Sequence, residues 1–266
     1  MNSDIREAKR IVIKIGSSTL TYETGRFNLR RMETLARVLS DFWNAGKEIV
    51  LVSSGAISAG RAKMGLSHKP STTAEKQAMA AVGQCELMRM YEHFFDLFSR
   101  RVAQILITRE TVDNPVARHN AENTFHALLS MGCLPIVNEN DTVSFEEIEF
   151  GDNDTLAAYV ALICSADALI NLSDIDGLYN GDPHRTAGVS LIPVVERIDE
   201  TIYSYAGGAG TDRGTGGVLT KLRAAEICCT RGIPMYLLNG NDPETLYRLL
   251  KGEKVGTKFL PYEAEK

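Results

Sequence analysis

Residues Arg10–Leu20 read RIVIKIGSSTL, and the fold follows from how this stretch is taken. Ile11, Val12, Ile13 and Ile15 surround a single lysine, Lys14, and a glycine and two serines follow at once. A nearly unbroken β-branched run is the pattern of a strand covered on both faces. The small polar exit suits a strand-to-helix junction, where backbone N–H groups are left without helical partners. The same unit recurs at Glu48–Gly60, EIVLVSSGAISAG. Shorter runs of this kind lie at Val102–Ile107, Leu134–Val137, Ala168–Leu172 and Met235–Leu238. Helical patterns fill the intervals at Asn28–Asn44, Ser54–Met64, Ala74–Phe98, Val116–Ser130, Asp154–Cys164, Gly217–Arg231 and Pro243–Leu250. Val143–Phe150 alternates apolar and acidic residues as a hairpin arm does, and Ser190–Arg197 reads as extended. Strands alternating with helices predict an α/β protein, a three-layer αβα sandwich around a mainly parallel central sheet with right-handed crossovers.

No repeat, low-complexity run or Pro/Gly/Ser linker divides the 266 residues. A single domain over 1–266 is expected, with an N-lobe over about 8–165 and a C-lobe over about 166–260. The 44% hydrophobic and 24% charged content is that of a globular chain rather than a disordered or fibrous one. A net charge of −5 argues against a general nucleic-acid-binding surface, which needs a basic face. The most apolar stretch, Leu156–Leu172, is broken by Ser165, Asp167 and Asn171, so no membrane span is expected. The N-terminus, MNSDIREAKR, has no apolar segment of the secretory type, which points to a cytoplasmic location. Cys85, Cys133, Cys164, Cys228 and Cys229 are odd in number and show no CxxC spacing, as expected of reduced, mostly buried thiols. His68, His93, His119, His126 and His184 show no ligand pattern, and no protein metal site is expected.

In parallel sheets of this kind ligands collect outside the carboxyl ends of the strands. Five junctions there carry the chemistry. At the first, Gly16 permits close backbone approach, and Lys14 inside an apolar strand must reach solvent or an anion. No Walker-type G-x-x-x-x-G-K-[ST] sequence occurs. At the second, Ser53-Ser54-Gly55 opens a helix whose N-terminal amides suit an anion or carboxylate, although simple N-capping by Ser54 explains the same residues. The third pairs Asn138-Glu139-Asn140-Asp141-Thr142 with Gly151-Asp152-Asn153-Asp154 across the expected hairpin. Such side chains orient an ammonium, a carboxylate or a basic side chain, or merely shape turns. The fourth, Leu172-Ser173-Asp174-Ile175-Asp176-Gly177, ends a strand in a polar turn suited to a nucleotide. The fifth, Gly214-Thr215-Gly216-Gly217-Val218-Leu219-Thr220-Lys221, sets glycines and a second lysine at a helix start. The glycine-rich Ala206–Thr211 before it is expected to be a mobile lid.

The segments KIGSSTL, VSSGAISAGR, NENDTV, FGDNDTLAA, LSDIDGLYNGDP and GTGGVLTK, in this order, resemble the amino-acid kinase family over about Arg10–Leu260. NEND and GDND together resemble its glutamate-phosphorylating branch, which opens proline biosynthesis. The resemblance implies ATP-dependent phosphorylation of the γ-carboxylate of L-glutamate, with Mg²⁺ required. It implies that Lys14 and Lys221 contact the transferring phosphate and that Asp154 orients them. Ser54, Gly55, Asp141 and Asn153 are implied to bind glutamate in the N-lobe. Gly16, Ser173, Asp174, Thr215, Gly216 and Gly217, with both lysines, are implied to hold ATP, mainly in the C-lobe. A homo-oligomer, dimer or tetramer, and feedback inhibition by proline are implied as well. The C-terminal PUA domain that many bacterial members carry is expected to be missing.

The chemistry fits the residue types. A carboxylate is already ionised at pH 7, so no general base is needed and no histidine is called for. The difficulty is bringing an anionic nucleophile to an anionic triphosphate, which calls for positioning and charge neutralisation. Two other readings stay open here. One is a kinase of the same fold acting on another acid, such as acetylglutamate or aspartate. The other is a non-catalytic amino-acid or nucleotide sensor, which has no need of both lysines and Asp154.

Overall fold

A computed structural model describes residues 4–143, 153–181, 188–206 and 217–263. Its strands are β1 (Arg10–Ile15), β2 (Glu48–Ser53), β3 (Arg101–Ile107), β4 (Cys133–Glu139), β5 (Ala168–Ser173), β6 (Val194–Val195), β7 (Met235–Asn239) and β8 (Thr257–Phe259). Its helices are α1 (Ser17–Leu20), α2 (Leu29–Asn44), α3 (Ala56–Lys63), α4 (Thr73–Asp96), α5 (Arg109–Asp113), α6 (Pro115–Ser130), α7 (Asn153–Ile163), α8 (Glu200–Ala206), α9 (Val218–Cys229) and α10 (Thr245–Leu250). The strands form one sheet in the order β3-β4-β2-β1-β5-β7-β8-β6. Neighbours are parallel except β7 and β8, which run antiparallel. The expected α/β class with a mainly parallel sheet is therefore the observed one.

Alternation along the strands fills two cores, one on each face. Ile11, Ile13 and Ile15 of β1 pack with Leu35 and Leu39 of α2, Tyr91 and Phe95 of α4, and Leu246 of α10. Val12 faces the other way, with Val52, Leu169 and Leu237, onto α6, α7 and α9. Lys14 shares the parity of Val12, and Asn171 that of Leu169. Both side chains therefore belong to the α7/α9 face of adjacent parallel strands, in register with one another. Period-2 geometry alone delivers these two polar groups to one spot beneath α7.

Four elements escape the sequence reading: α1, α5, α8 and β8. Each is short, between three and seven residues, too brief for a periodic pattern to register. The helix expected from Ser54 begins instead at Ala56, because Gly55 takes a left-handed φ of 106° and serves as its N-cap. Ser54 thus lies outside the helix, and its side chain is left for another task. The helix expected to reach Arg231 stops at Cys229. The extended arm expected at Ser190–Arg197 contains only the two-residue β6 as strand. Most of the hairpin arm expected at Val143–Phe150, and all but Ala206 of the expected lid, lie outside the described residues.

Two glycines let α3 and α4 cross at backbone contact. A Cβ on Gly60 would lie 1.9 Å from the carbonyl oxygen of Met79, and one on Gly83 would lie 1.7 Å from that of Ala56. The close crossing holds the start of α3 against the exit of β2, where Ser54 sits.

Candidate active site

The central feature is an ion triad. Asp154, in the first turn of α7, is 1% exposed and bridges Lys14 of β1 and Lys221 of α9, whose side chains are 8% and 6% exposed. Its Oδ1 accepts from Lys14 Nζ, and its Oδ2 accepts from Lys221 Nζ at 3.0 Å. Each oxygen also accepts from one neutral donor. Asn171 Nδ2 reaches Oδ1 at 2.9 Å and Thr220 Oγ1 reaches Oδ2 at 2.9 Å. Burial alone would raise this carboxyl. The ammonium groups of Lys14 and Lys221, with the hydrogen bonds from Lys14 and Asn171, outweigh burial and hold it well below the ordinary carboxylate range.

Among the described residues, two ammonium groups thus meet one carboxylate in a nearly dry site at the C-terminal end of the central strands. Buried ammonium groups are costly to desolvate and are stabilised when an anion binds beside them. Gly16 lies alongside, its missing Cβ only 3.8 Å from Lys14 Nζ, so the β1 exit presents bare backbone to the same ammonium.

A second cluster sits at the exits of β2 and β4. Asn153, the residue before Asp154, directs its Nδ2 to the carbonyl of Ser53 at 2.9 Å, Ser54 Oγ at 2.7 Å and Asn138 Oδ1 at 2.9 Å. Asn138 passes its own Nδ2 to Gln84 on α4 at 3.0 Å, and Gln84 passes on to Gln104 on β3 at 3.1 Å. Beside it, Ser53 Oγ pairs with the Tyr91 hydroxyl at 2.7 Å, and burial pushes that phenol up. Because Asn153 and Asp154 are adjacent on α7, the polar cluster and the ion triad are held in one rigid relation. Asp141, beyond β4, is half-buried, and burial pushes its carboxyl up to about 6. Across the sheet, Ser173 ends β5 with its Oγ donating to Asp174 Oδ1 at 3.0 Å, and its carbonyl accepts from Gly240 N at 2.7 Å.

A buried Lys–Asp–Lys bridge at the mouth of a parallel sheet, with an amide cluster beside it, frames what the sequence comparisons return. Residues 9–239 match the amino acid kinase family.

The chain belongs to the amino acid kinase family.

Its curated relatives include a glutamate 5-kinase of Clostridium perfringens, 51% identical with 100% of each chain covered, and one of Clostridium tetani, 51% identical over 96% of each. A glutamate 5-kinase of Caldanaerobacter subterraneus is 48% identical over 95% of this chain and 68% of its own. The fold is shared more widely. A UMP kinase from Bacillus anthracis superposes with a TM-score of 0.64 at 17% identity, covering 96% of both chains.

Within this amino acid kinase chain, the structure brings Lys14, Asp154 and Lys221 together, with Gly16 beside Lys14, and joins Asn153 to Ser54. Gly55 lies under the β1 exit, its missing Cβ 3.9 Å from Ser17 and Thr21. Gly217 precedes α9, and its carbonyl accepts from Thr220. Thr215 and Gly216 lie outside the described residues. The structure adds Gln84 and Asn171 to what the sequence offered, and gives Asn138 and Thr220, quoted there only within their junctions, definite partners. Asn171 left a signal, as a lone amide in the apolar run ALINLS, but weighed against a membrane span it said nothing of a site.

Proposed function

We propose that this chain transfers the γ-phosphoryl group of ATP to the γ-carboxylate of L-glutamate, giving L-glutamyl 5-phosphate and ADP in the first step of proline biosynthesis. The buried Lys14–Asp154–Lys221 bridge, which sets two ammonium groups side by side, carries this reading. Curated relatives near half identity over the full chain support the acceptor.

In the reaction a carboxylate oxygen attacks the γ-phosphorus, and the bond to the β–γ bridging oxygen breaks. That oxygen leaves with the electron pair on ADP, and no proton needs to move. Lys14 and Lys221 reach the non-bridging and bridging oxygens of the group in transfer, where charge spreads in the transition state. Asp154 holds the two ammonium groups at a fixed spacing, and its own charge keeps them from repelling one another. Ser54, Gly55, Asn153 and Asp141 hold glutamate, with Asp141 opposite its α-ammonium. Gly16, Ser173, Asp174 and the Thr215–Gly217 loop hold ATP. Among the described residues no cluster of three or more His, Cys, Asp or Glu side chains offers a metal cage, and both oxygens of Asp154 are taken. Mg²⁺, when bound with the nucleotide, would add to the charge neutralisation that the two lysines provide. A cytoplasmic homo-oligomer, dimer or tetramer, inhibited by proline completes the proposal. No helix of the described residues is long and apolar enough to cross a membrane.

Trapping the acyl phosphate with hydroxylamine tests the reading. Hydroxamate is expected with L-glutamate and not with N-acetylglutamate or aspartate. A preference for either of the other acids moves the chain to a different branch, and ATP binding without turnover makes it a sensor.

A further inference from the structure

The proposed reaction needs only two lysines and a carboxylate, yet the structure builds more around them. Asn171 lies at the centre of the sheet on β5, 0% exposed, flanked in sequence by Ile170 and Leu172. Its register partners are Lys14 on β1 and Leu237 on β7. Its Nδ2 donates to Asp154 Oδ1 at 2.9 Å, whereas its own Oδ1 is buried with no hydrogen-bond partner. A buried carbonyl without a donor weakens a fold, and an isosteric leucine there would carry no such burden. Stability therefore does not explain an amide at this place.

The geometry around Asp154 does. Each carboxylate oxygen receives one ammonium and one neutral donor, Lys14 with Asn171 on one side and Lys221 with Thr220 on the other. Thr220 and Lys221 both hold Oδ2 from one turn of α9, so without Asn171 the Oδ1 side would lose its neutral donor and lean on the flexible Lys14. A donor on a rigid central strand fixes that side. We infer that Asn171 is a positioning residue for phosphoryl transfer, fixing the plane of the Asp154 carboxylate and through it the spacing of the Lys14 and Lys221 ammonium groups. This inference rests on the proposed function for its effect on turnover, but not for its effect on the lysines.

Asn171→Leu tests it. The variant is expected to lower kcat about tenfold or more, the loss typical of one hydrogen bond to a charged group. KM for glutamate should stay within about twofold, because Asn171 does not share the cluster of Asn153 and Ser54. The melting temperature should hold or rise. A role in packing alone would lower the melting temperature and leave Lys14 reactivity as it is in the wild type. Reductive methylation followed by peptide mass spectrometry gives a readout that needs no turnover. Lys14 is expected to label faster in the variant than in the wild type. If the wild type fails to phosphorylate glutamate but Lys14 labelling still responds, the proposed function falls and the positioning role stands. Unchanged kcat with unchanged Lys14 labelling overturns the inference, as does a loss of kcat that follows the loss of folded protein.

Discussion

Lys14→Ala and Lys221→Ala are each expected to lower kcat by about 10²–10³, or about 3–4 kcal/mol, as removal of one transition-state contact does elsewhere. Circular dichroism should show both variants folded, and stopped assays on purified protein give the turnover. Asp141 supplies a different kind of test. Burial raises its folded-state value to about 6, above the ordinary carboxylate value, so it takes up a proton as pH falls through 6. Glutamate keeps its α-ammonium and its γ-carboxylate in that window. KM for glutamate is therefore expected to rise as pH drops from 7 to 5, and Asp141→Asn should start from a high KM and show a flat profile. The same shift predicts that Asp141 weakens folding above pH 6 and ceases to do so below its unfolded value. At this scale the sequence is informative about charge and poor about neutral donors. A lysine in an apolar strand announces itself because burying it unpaired is prohibitive. Asn171 does not, and Thr220 enters only as part of its junction, since an amide or hydroxyl is tolerable in many places and acts here through a partner on another element.

At the scale of elements, the junctions were legible and the short pieces were not. The β1 and β2 exits were readable because apolar runs stop abruptly at glycine and serine, whereas α1 and α5 are too short for a period to appear. Gly55 shows the finer limit: a left-handed residue displaces the start of α3 by two positions, and nothing in the hydrophobic pattern records that choice. The α3–α4 crossing makes a prediction of its own. Gly83→Ala places a methyl 1.7 Å from the Ala56 carbonyl oxygen, so the helices must separate. Denaturant unfolding should show a loss of about 1–3 kcal/mol or more, and KM for glutamate should rise because Ser54 and Gly55 move with α3. Gly46→Ala makes a fair control, since its missing Cβ has open space around it, leaving only the strain of its left-handed φ of 86°.

The molecule as a whole sets its charge where the sheet is most enclosed. β1 and β5 are central; the triad draws on β1, α7 and α9, and β5 supplies the Asn171 donor to it. An anion that binds beside the two buried ammonium groups stabilises the folded state and finds no equivalent in the unfolded chain. Differential scanning fluorimetry with MgATP at about 100 times its Kd should therefore show stabilisation of about 2.7 kcal/mol, a rise in Tm of several degrees. Lys221→Ala should lose most of it. The same three-element origin has a consequence for synthesis. Lys14 and Lys221 are separated by on the order of 200 residues, and ribosomes add about 5–20 residues per second. Lys14 therefore leaves the exit tunnel some tens of seconds before its distant counterpart, and the nascent chain has no complete Lys14–Asp154–Lys221 bridge until α9 emerges. A ribosome-bound fragment ending before α9 should be inert toward nucleotide however well its first strands have paired.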